Sequence, residues 1–272
     1  MNRTIFSALF LLAACQPVLP DVPRSDGGTR QSQVFKHAHN DYEHPRPLFD
    51  ALDAGFESVE VDVWIDGTDI GVSHTGAPFK GSLKALYLDP LAQLVRTRGR
   101  VNRSGGPFFL WLDLKQGDQR LLDLIATQLA EYPMLTRFQD DQPALSGAVT
   151  IILTGSDSGK KALVERPSPR PYIRDSNSYS PMDPQSDSKW GAYALNYNAF
   201  MQWDGQGTIS AAQQRQLDNL VAGAHQAGRQ VRLYAAPETP AWWRVARKSG
   251  VDFVGGDDLS GIASVFAEPI LP

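Results

Sequence analysis

The feature that most restricts the fold of this chain is a regular alternation of β-rich runs and helical segments from about residue 32 onward. Six helical segments lie between eight short runs with β character, and a seventh follows the last run. Eight strands alternating with helices over about 240 residues predict a single (β/α)8 TIM barrel. The predicted strands are 34–37, 58–64, 108–115, 148–154, 171–175, 192–196, 231–234 and 252–256, and the predicted helices are 47–54, 83–97, 118–132, 158–165, 210–226, 240–249 and 259–266.

The fifth predicted strand and the segment that follows it are the least regular part of this pattern. Prolines crowd the fifth strand, and the following segment, 176–188, is rich in Ser and Asp and predicts a long loop in place of a helix. A doubly wound open sheet shows the same alternation, but it normally carries a glycine-rich phosphate turn after its first strand. Here the first strand runs into His37-Ala38-His39-Asn40-Asp41, which contains no glycine. The barrel is therefore favoured.

Charge and cysteine content narrow the classes of function. The chain has 26 basic and 30 acidic residues, a net charge of −4, and no block of Lys or Arg. A nucleic-acid partner is therefore not expected, because such binding needs a concentrated basic surface. The one cysteine, Cys15, excludes an intrachain disulfide and a thiolate metal cluster. No obligate protein partner is indicated.

The N-terminus predicts export. Arg3 precedes an apolar stretch over residues 5–14, about half the length of a membrane-spanning helix, which is typical of a secretory signal. The sole cysteine ends the lipobox-like run Leu12-Ala13-Ala14-Cys15. We therefore expect residues 1–15 to be a signal peptide with a lipobox, residues 16–32 a flexible tether and residues 33–272 the barrel. An ordinary signal peptide is the alternative. A lipidated Cys15 would anchor the protein in a membrane of the cell envelope.

Carboxylates occur where a barrel would have its interior. Glu60 and Asp62 share one face of the second strand, because side chains alternate with a period of two. In the third strand Asp113 and Lys115 share a face in the same way. Three carboxylates without a thiolate favour Mg²⁺ or Ca²⁺ over zinc. The alternatives are an exposed antiparallel strand with solvated charges, and an Asp113–Lys115 ion pair with no function.

Histidines supply possible acid–base chemistry. His37 ends the first strand, and His74 follows a predicted hairpin over the barrel mouth. Two imidazoles on either side of a cation-bound phosphate would let one accept a proton and the other donate one. For any single histidine, a structural role is an equally good interpretation. His44 and His225 are interpreted as a loop residue and a structural or exposed residue.

These residues resemble a known superfamily. The series His37, Glu60-x-Asp62, His74 and Asp113-x-Lys115 is similar to the phospholipase-C-like phosphodiesterases, which include glycerophosphodiester phosphodiesterases and sphingomyelinase D toxins. The closest similarity is to a branch marked by His-x-His-Asn-Asp-Tyr, here 37–42. The resemblance implies a (β/α)8 barrel, a divalent cation held by Glu60, Asp62 and Asp113, and a catalytic pair, His37 and His74.

The chain also departs from the superfamily pattern. Glycerophosphodiesterases usually have His-Arg-Gly where this chain has His37-Ala38-His39, so their phosphate-binding arginine is missing. Asp113 replaces a usual glutamate, as it does in the sphingomyelinase D group. The predicted substrate contacts are Lys115, His39, Asn40, Asn196, Arg232 and Tyr234.

The expected function is hydrolysis of a phosphodiester, either a small glycerophosphodiester or a phospholipid-like head group. Two alternatives remain. A metal-dependent amidohydrolase also opens with His-x-His and uses a late aspartate, here Asp257, but it needs histidines on its fifth and sixth strands. None lies between His74 and His225. The second alternative is a non-catalytic surface lipoprotein, because a fold alone does not establish activity.

Overall fold

A computed structural model describes residues 33–103 and 105–270 and shows twelve strands in this part of the chain. Eight of them form a closed parallel barrel, in which β1 pairs with both β2 and β12. These eight are β1, β2, β5, β8, β9, β10, β11 and β12. In chain order the strands are β1 (Phe35–Ala38), β2 (Ser58–Asp66), β3 (Asp69–Val72), β4 (Gly81–Ser82), β5 (Phe108–Leu114), β6 (Arg137–Gln139), β7 (Gln142–Leu145), β8 (Val149–Gly155), β9 (Ile173–Ser176), β10 (Trp190–Asn196), β11 (Gln230–Tyr234) and β12 (Phe253–Gly256).

Helices pack around the outside of the barrel. They are α1 (Phe49–Asp53), α2 (Asp89–Arg98), α3 (Gln119–Ala130), α4 (Asp157–Val164), α5 (Tyr197–Phe200), α6 (Ala211–Gln226), α7 (Pro240–Ser249) and α8 (Leu259–Ala267). Six of them begin at a residue whose side chain accepts a hydrogen bond from a backbone N–H of the first turn, which satisfies one of the free donors there. These caps are Asp118, Ser156, Asn196, Ser210, Thr239 and Asp258.

Two apolar cores result from the alternation of side chains along each strand. Val59, Val61 and Val63 of β2 are fully buried in the large core between the barrel and the helices. A smaller aromatic cluster, which includes Trp111 and Phe253, fills the barrel interior. Both faces of the strands are therefore buried, as expected for a parallel barrel.

The predicted barrel is confirmed, including the fifth strand among the prolines and the hairpin in which β3 pairs antiparallel with β2. The predicted helix 83–97 divides into a π-helical turn, Lys84–Leu88, and α2. The β6–β7 hairpin and the short helix α5 were not predicted. The signal, the lipobox cysteine Cys15 and the tether lie outside the described residues. In the described ranges no helix is long and apolar enough to cross a lipid bilayer.

The predicted loop after β9 takes the place of a helix, and Arg229 holds it against the barrel. The Arg229 guanidinium is buried and donates to the carbonyls of Pro184 at 2.6 Å and Gln185 at 3.2 Å. It also lies 3.6 Å from the centre of the Trp190 ring. A backbone bond from Ser186 N to Ala227 O, 2.8 Å long, adds to this attachment.

We expect Arg229→Met to lower the free energy of unfolding by about 2–4 kcal/mol, because it removes two charge-assisted hydrogen bonds and a buried cation–π contact. Urea unfolding measures the loss, and limited proteolysis at 177–189 shows whether the loop is released. Arg215→Met, at an exposed position of α6, is the control. Equal stability of the two variants would contradict this role for Arg229.

Candidate active site

His37 ends β1 and is buried in the barrel. Its Nδ1 hydrogen-bonds Ser58 Oγ at 2.8 Å, and its Nε2 has no hydrogen-bond partner in the described structure. The ring packs edge-on against Trp111, with 5.8 Å between centroids. Burial, followed by the positive charge of Arg232, lowers the pKa of His37 to about 3. This imidazole is therefore neutral at physiological pH.

Glu60 faces the same interior and forms a bidentate ion pair with Arg232 of β11. Arg232 Nη1 donates to Oε1 at 2.7 Å and Nη2 donates to Oε2 at 2.6 Å. Burial alone would raise the pKa of Glu60, but the Arg232 charge, the neighbouring His37 ring and the two Arg232 hydrogen bonds hold it well below its ordinary value. Glu60 Oε2 is also 3.9 Å from His37 Nε2.

Asp62 and Asp113 lie side by side, because β2 and β5 are in register at this pair. The Lys115 ammonium bridges them, at 2.9 Å from Asp62 Oδ2 and 2.6 Å from Asp113 Oδ2. Gly155 at the end of β8 makes room here: its φ is +79°, and a Cβ would collide with Asp113. Two carboxylates and one ammonium thus form a compact charge cluster at the mouth.

His74 reaches this cluster from the loop after β3. Its Nδ1 is 3.1 Å from Asp62 Oδ2, and its side chain is 60% exposed. Asp62 orients the ring, and the exposure of the ring leaves it accessible to a substrate. The structure therefore brings His74 to Asp62 and His37 to Glu60, so both predicted histidines are next to predicted carboxylates.

The loop after β1 is held by residues that the sequence analysis had not selected. Asp41 is fully buried and accepts hydrogen bonds from Leu48 N at 2.5 Å and Tyr87 Oη at 2.8 Å. The Tyr42 hydroxyl donates to Asn40 Oδ1 and lies 3.5 Å from His74 Nδ1. Asp41 and Tyr42 belong to the His-x-His-Asn-Asp-Tyr run, so their pattern was visible and only their role was not.

His39 lies at the rim, between Asp257 and Glu60. Its Nδ1 is 2.8 Å from Asp257 Oδ1, and its Nε2 is 3.6 Å from Glu60 Oε2. The carboxylate of Asp257 thus directs the other ring nitrogen of His39 into the mouth. Asp257 had been considered only for the amidohydrolase alternative.

A cavity of about 340 Å³ opens beside these groups. Its lining residues are His39, Glu60, Asp113, Thr154, Gly155, Asn177, Arg232 and Tyr234. The predicted contacts His39, Arg232 and Tyr234 therefore lie on the cavity. Asn40 and Asn196 are not in its lining; their carboxamide oxygens accept from Tyr42 and from the backbone of Asn198. Thr154 and Asn177 were missed, although both follow β-rich runs. A larger concavity, about 640 Å³ around the β6–β7 hairpin, contains no histidine.

A divalent cation fits the chemistry of this site. Across the described ranges no three His, Cys, Asp or Glu residues are arranged around one point suited to a metal, because Arg232 pairs with Glu60 and Lys115 pairs with Asp62 and Asp113. The Lys115 ammonium lies between two of the carboxylates. Their oxygens, with those of Glu60, are the donors that Mg²⁺ and Ca²⁺ prefer.

A (β/α)8 barrel with acidic residues and histidines at the carboxyl ends of its strands defines a class of hydrolase-like barrels. Residues 29–172 match the AIM6-like phosphodiesterase domain. The chain belongs to this family.

Alignments with named proteins extend over most of the chain. It is 25% identical to altered inheritance of mitochondria protein 6 of Lachancea thermotolerans, over 83% of this chain and 64% of that protein. It is 24% identical to the altered inheritance of mitochondria protein 6 homolog of Arthroderma benhamiae, over 85% of this chain and 83% of that protein. It is also 24% identical to altered inheritance of mitochondria protein 6 of Saccharomyces cerevisiae, over 75% of this chain and 62% of that protein. The chain thus spans less than two thirds of the Lachancea and Saccharomyces proteins.

A solved structure shows the same fold. Glycerophosphodiester phosphodiesterase from Agrobacterium tumefaciens superposes with a TM-score of 0.53 at 15% identity, covering 87% of this chain and all of that one. At this identity the similarity concerns the fold alone, and it agrees with the barrel.

We expect the pKa of His37, at about 3, to appear in the pH dependence of stability. The unfolded chain takes up a proton near pH 6.5 while folded His37 does not, so stability is lost as pH falls below about 6.5. Urea unfolding between about pH 4 and pH 7 should show a steeper loss for the native chain than for His37→Asn. The NMR signal of His37 in the native chain, assigned as the one missing from the spectrum of His37→Asn, should not shift between about pH 5 and pH 8. A shift in that range would contradict the neutral assignment.

Proposed function

We propose that this protein is a metal-dependent phosphoric diester hydrolase that acts on a glycerophosphodiester or phospholipid-like substrate. The observation that carries the proposal is that His37 lies beside Glu60 and His74 lies beside Asp62, whose carboxylate shares the Lys115 ammonium with Asp113. Membership in a phosphodiesterase-domain family supports the same reaction class.

The two imidazoles would divide the proton transfers. His37, whose Nε2 has no hydrogen-bond partner among the described residues, would accept a proton from the attacking oxygen. That oxygen would bond to phosphorus as the bond from phosphorus to the leaving oxygen breaks. His74, held by Asp62, would give a proton to the leaving alkoxide. The attacking oxygen belongs to water or to a neighbouring substrate hydroxyl, and the second case gives a cyclic phosphate.

Positive charge would stabilise the phosphoryl oxygens. Glu60, Asp62 and Asp113 would hold one Mg²⁺ or Ca²⁺, which supplies Lewis-acid polarisation when bound. Lys115 and Arg232 would add positive charge beside the phosphate. His39 and Tyr234 would contact the rest of the substrate, and Asn40 and Asn196 remain more distant candidates for such contacts.

The proposed location is the cell envelope, with the lipid of a modified Cys15 as the membrane anchor. This part of the proposal rests on the N-terminal sequence alone, which lies outside the described residues.

The amidohydrolase alternative is disfavoured by specific positions. Such an enzyme needs histidines on the fifth and sixth barrel strands, which are β9 and β10 here. Neither Ile173–Ser176 nor Trp190–Asn196 contains one. The positions of His37 beside Glu60 and of His74 beside Asp62 disfavour a non-catalytic barrel, in which neither acid–base group would have a role.

We expect hydrolysis of glycerophosphodiesters to stop in EDTA and to return with Mg²⁺ or Ca²⁺ but not with Zn²⁺. His37→Asn and His74→Asn should each lower kcat by about 100-fold or more, because each removes one proton transfer. Alcohol release measures turnover, and circular dichroism checks folding. His44→Asn, in the loop after β1, is the matched control. Unchanged turnover in both mouth variants would reject the histidine assignment, and rescue by Zn²⁺ alone would favour the amidohydrolase alternative.

A further inference from the structure

One wall of the cavity, beside Asp113 on the neighbouring strand β5, is polar and uncharged. Thr154, at the end of β8, and Asn177, just after β9, line it together with Tyr234. The lining contains no aliphatic side chain. A substrate group in this position would therefore need to be small and capable of hydrogen bonding, because an alkyl chain would leave these polar groups unpaired.

A completely buried ion pair lies behind this wall. Lys160 of α4 and Asp175 of β9 have no exposed side-chain surface, and Lys160 Nζ is 2.6 Å from Asp175 Oδ1. Helix lysines are almost always solvated, and a buried ion pair contributes little net stability after the cost of desolvation. The reaction proposed above does not use either group. Their burial therefore calls for a positional role.

The pair is connected to both wall residues. Lys160 Nζ also donates to Asn177 Oδ1, and Asn177 Nδ2 donates to Ala194 O at 3.2 Å. The Thr154 hydroxyl neighbours the Asp175 carboxylate, whose Oδ2 is buried without a hydrogen-bond partner of good geometry. The ion pair thus fixes the orientation of the Asn177 amide and supports Thr154 from below.

The wall keeps free hydrogen-bonding capacity. An asparagine amide has two N–H donors, and only one of those in Asn177 is used. A threonine hydroxyl both donates and accepts. A donor and an acceptor held next to each other suit the hydroxyl groups of a polyol.

We propose that Thr154 and Asn177 form a hydroxyl-binding wall, positioned by the buried Lys160–Asp175 pair, which selects phosphodiesters of a polyol. This inference rests on the proposed function and narrows it: the group next to phosphorus carries hydroxyls, and any apolar chain lies outside the cavity. Thr154 and Asn177 are substrate-binding residues here, and Lys160 and Asp175 are positioning residues.

Two matched substrates test this inference: the glyceryl and propyl esters of p-nitrophenyl phosphate, which share a leaving group and differ in two hydroxyls. The native chain should prefer the glyceryl ester in kcat/KM by about tenfold or more, because a site built for hydroxyls rejects the analogue that lacks them. Thr154→Val and Asn177→Ala should each reduce this preference about fivefold or more, mainly through KM. Thr154→Ser should restore it, and Thr97→Val on the outer helix α2 should leave it intact.

The ion pair is tested by removing both charges at once. Lys160→Met/Asp175→Leu avoids an uncompensated buried charge and should fold, which its melting temperature reports. It should lose the glyceryl preference as Asn177→Ala does. If it folds and keeps the native preference, the positioning role is wrong; if it fails to fold, Asp175→Asn gives the same comparison. A native chain that hydrolyses both esters without preference overturns the hydroxyl wall alone, whereas one that hydrolyses neither overturns the proposed function and the wall with it.

Discussion

Charge compensation inside the barrel is the interaction on which the site depends. Glu60, Asp62 and Asp113 all face an interior whose core is a cluster of aromatic and aliphatic side chains. An isolated buried carboxylate costs several kcal/mol, so each needs a cationic partner in place. Arg232 supplies it for Glu60, and Lys115 supplies it for the other two. Removing Arg232 or Lys115 would leave buried negative charge. The same side chains therefore stabilise the mouth of the barrel and set its electrostatics.

The barrel supplies this arrangement through register. Pairing of Asp62 with Asp113 follows from the alignment of β2 and β5, and closure between β1 and β12 places His37 in the same interior. The loop after β1, anchored by buried Asp41, and the loop after β3 then bring Tyr42 and His74 together over the mouth. Rigid strands thus hold the charges, while a more exposed loop carries the accessible imidazole.

The sequence allowed prediction of those features that depend on local periodicity. The eight strands follow from β-rich runs, and the shared face of Glu60 and Asp62 follows from alternation along one strand. Contacts between distant segments were not predictable in this way. Arg232 pairs with a residue 172 positions earlier, and the predicted helix 158–165 gave no sign that Lys160 is buried against Asp175. Asn177 lay in a Ser- and Asp-rich loop, where nothing in the local pattern indicated a cavity.

We propose that a divalent cation would bind between Asp62 and Asp113, where it would compete with the Lys115 ammonium. Calorimetric titration of the metal-free protein with Mg²⁺ and with Ca²⁺ tests this most directly, with Lys115→Gln beside the native chain and Lys161→Gln, an exposed helix position, as control. The native chain and the control should bind one cation per chain, and Lys115→Gln should bind it about tenfold or more tightly, because the competing ammonium is gone. Absence of binding in all three proteins, or equal affinity in all of them, would contradict the account.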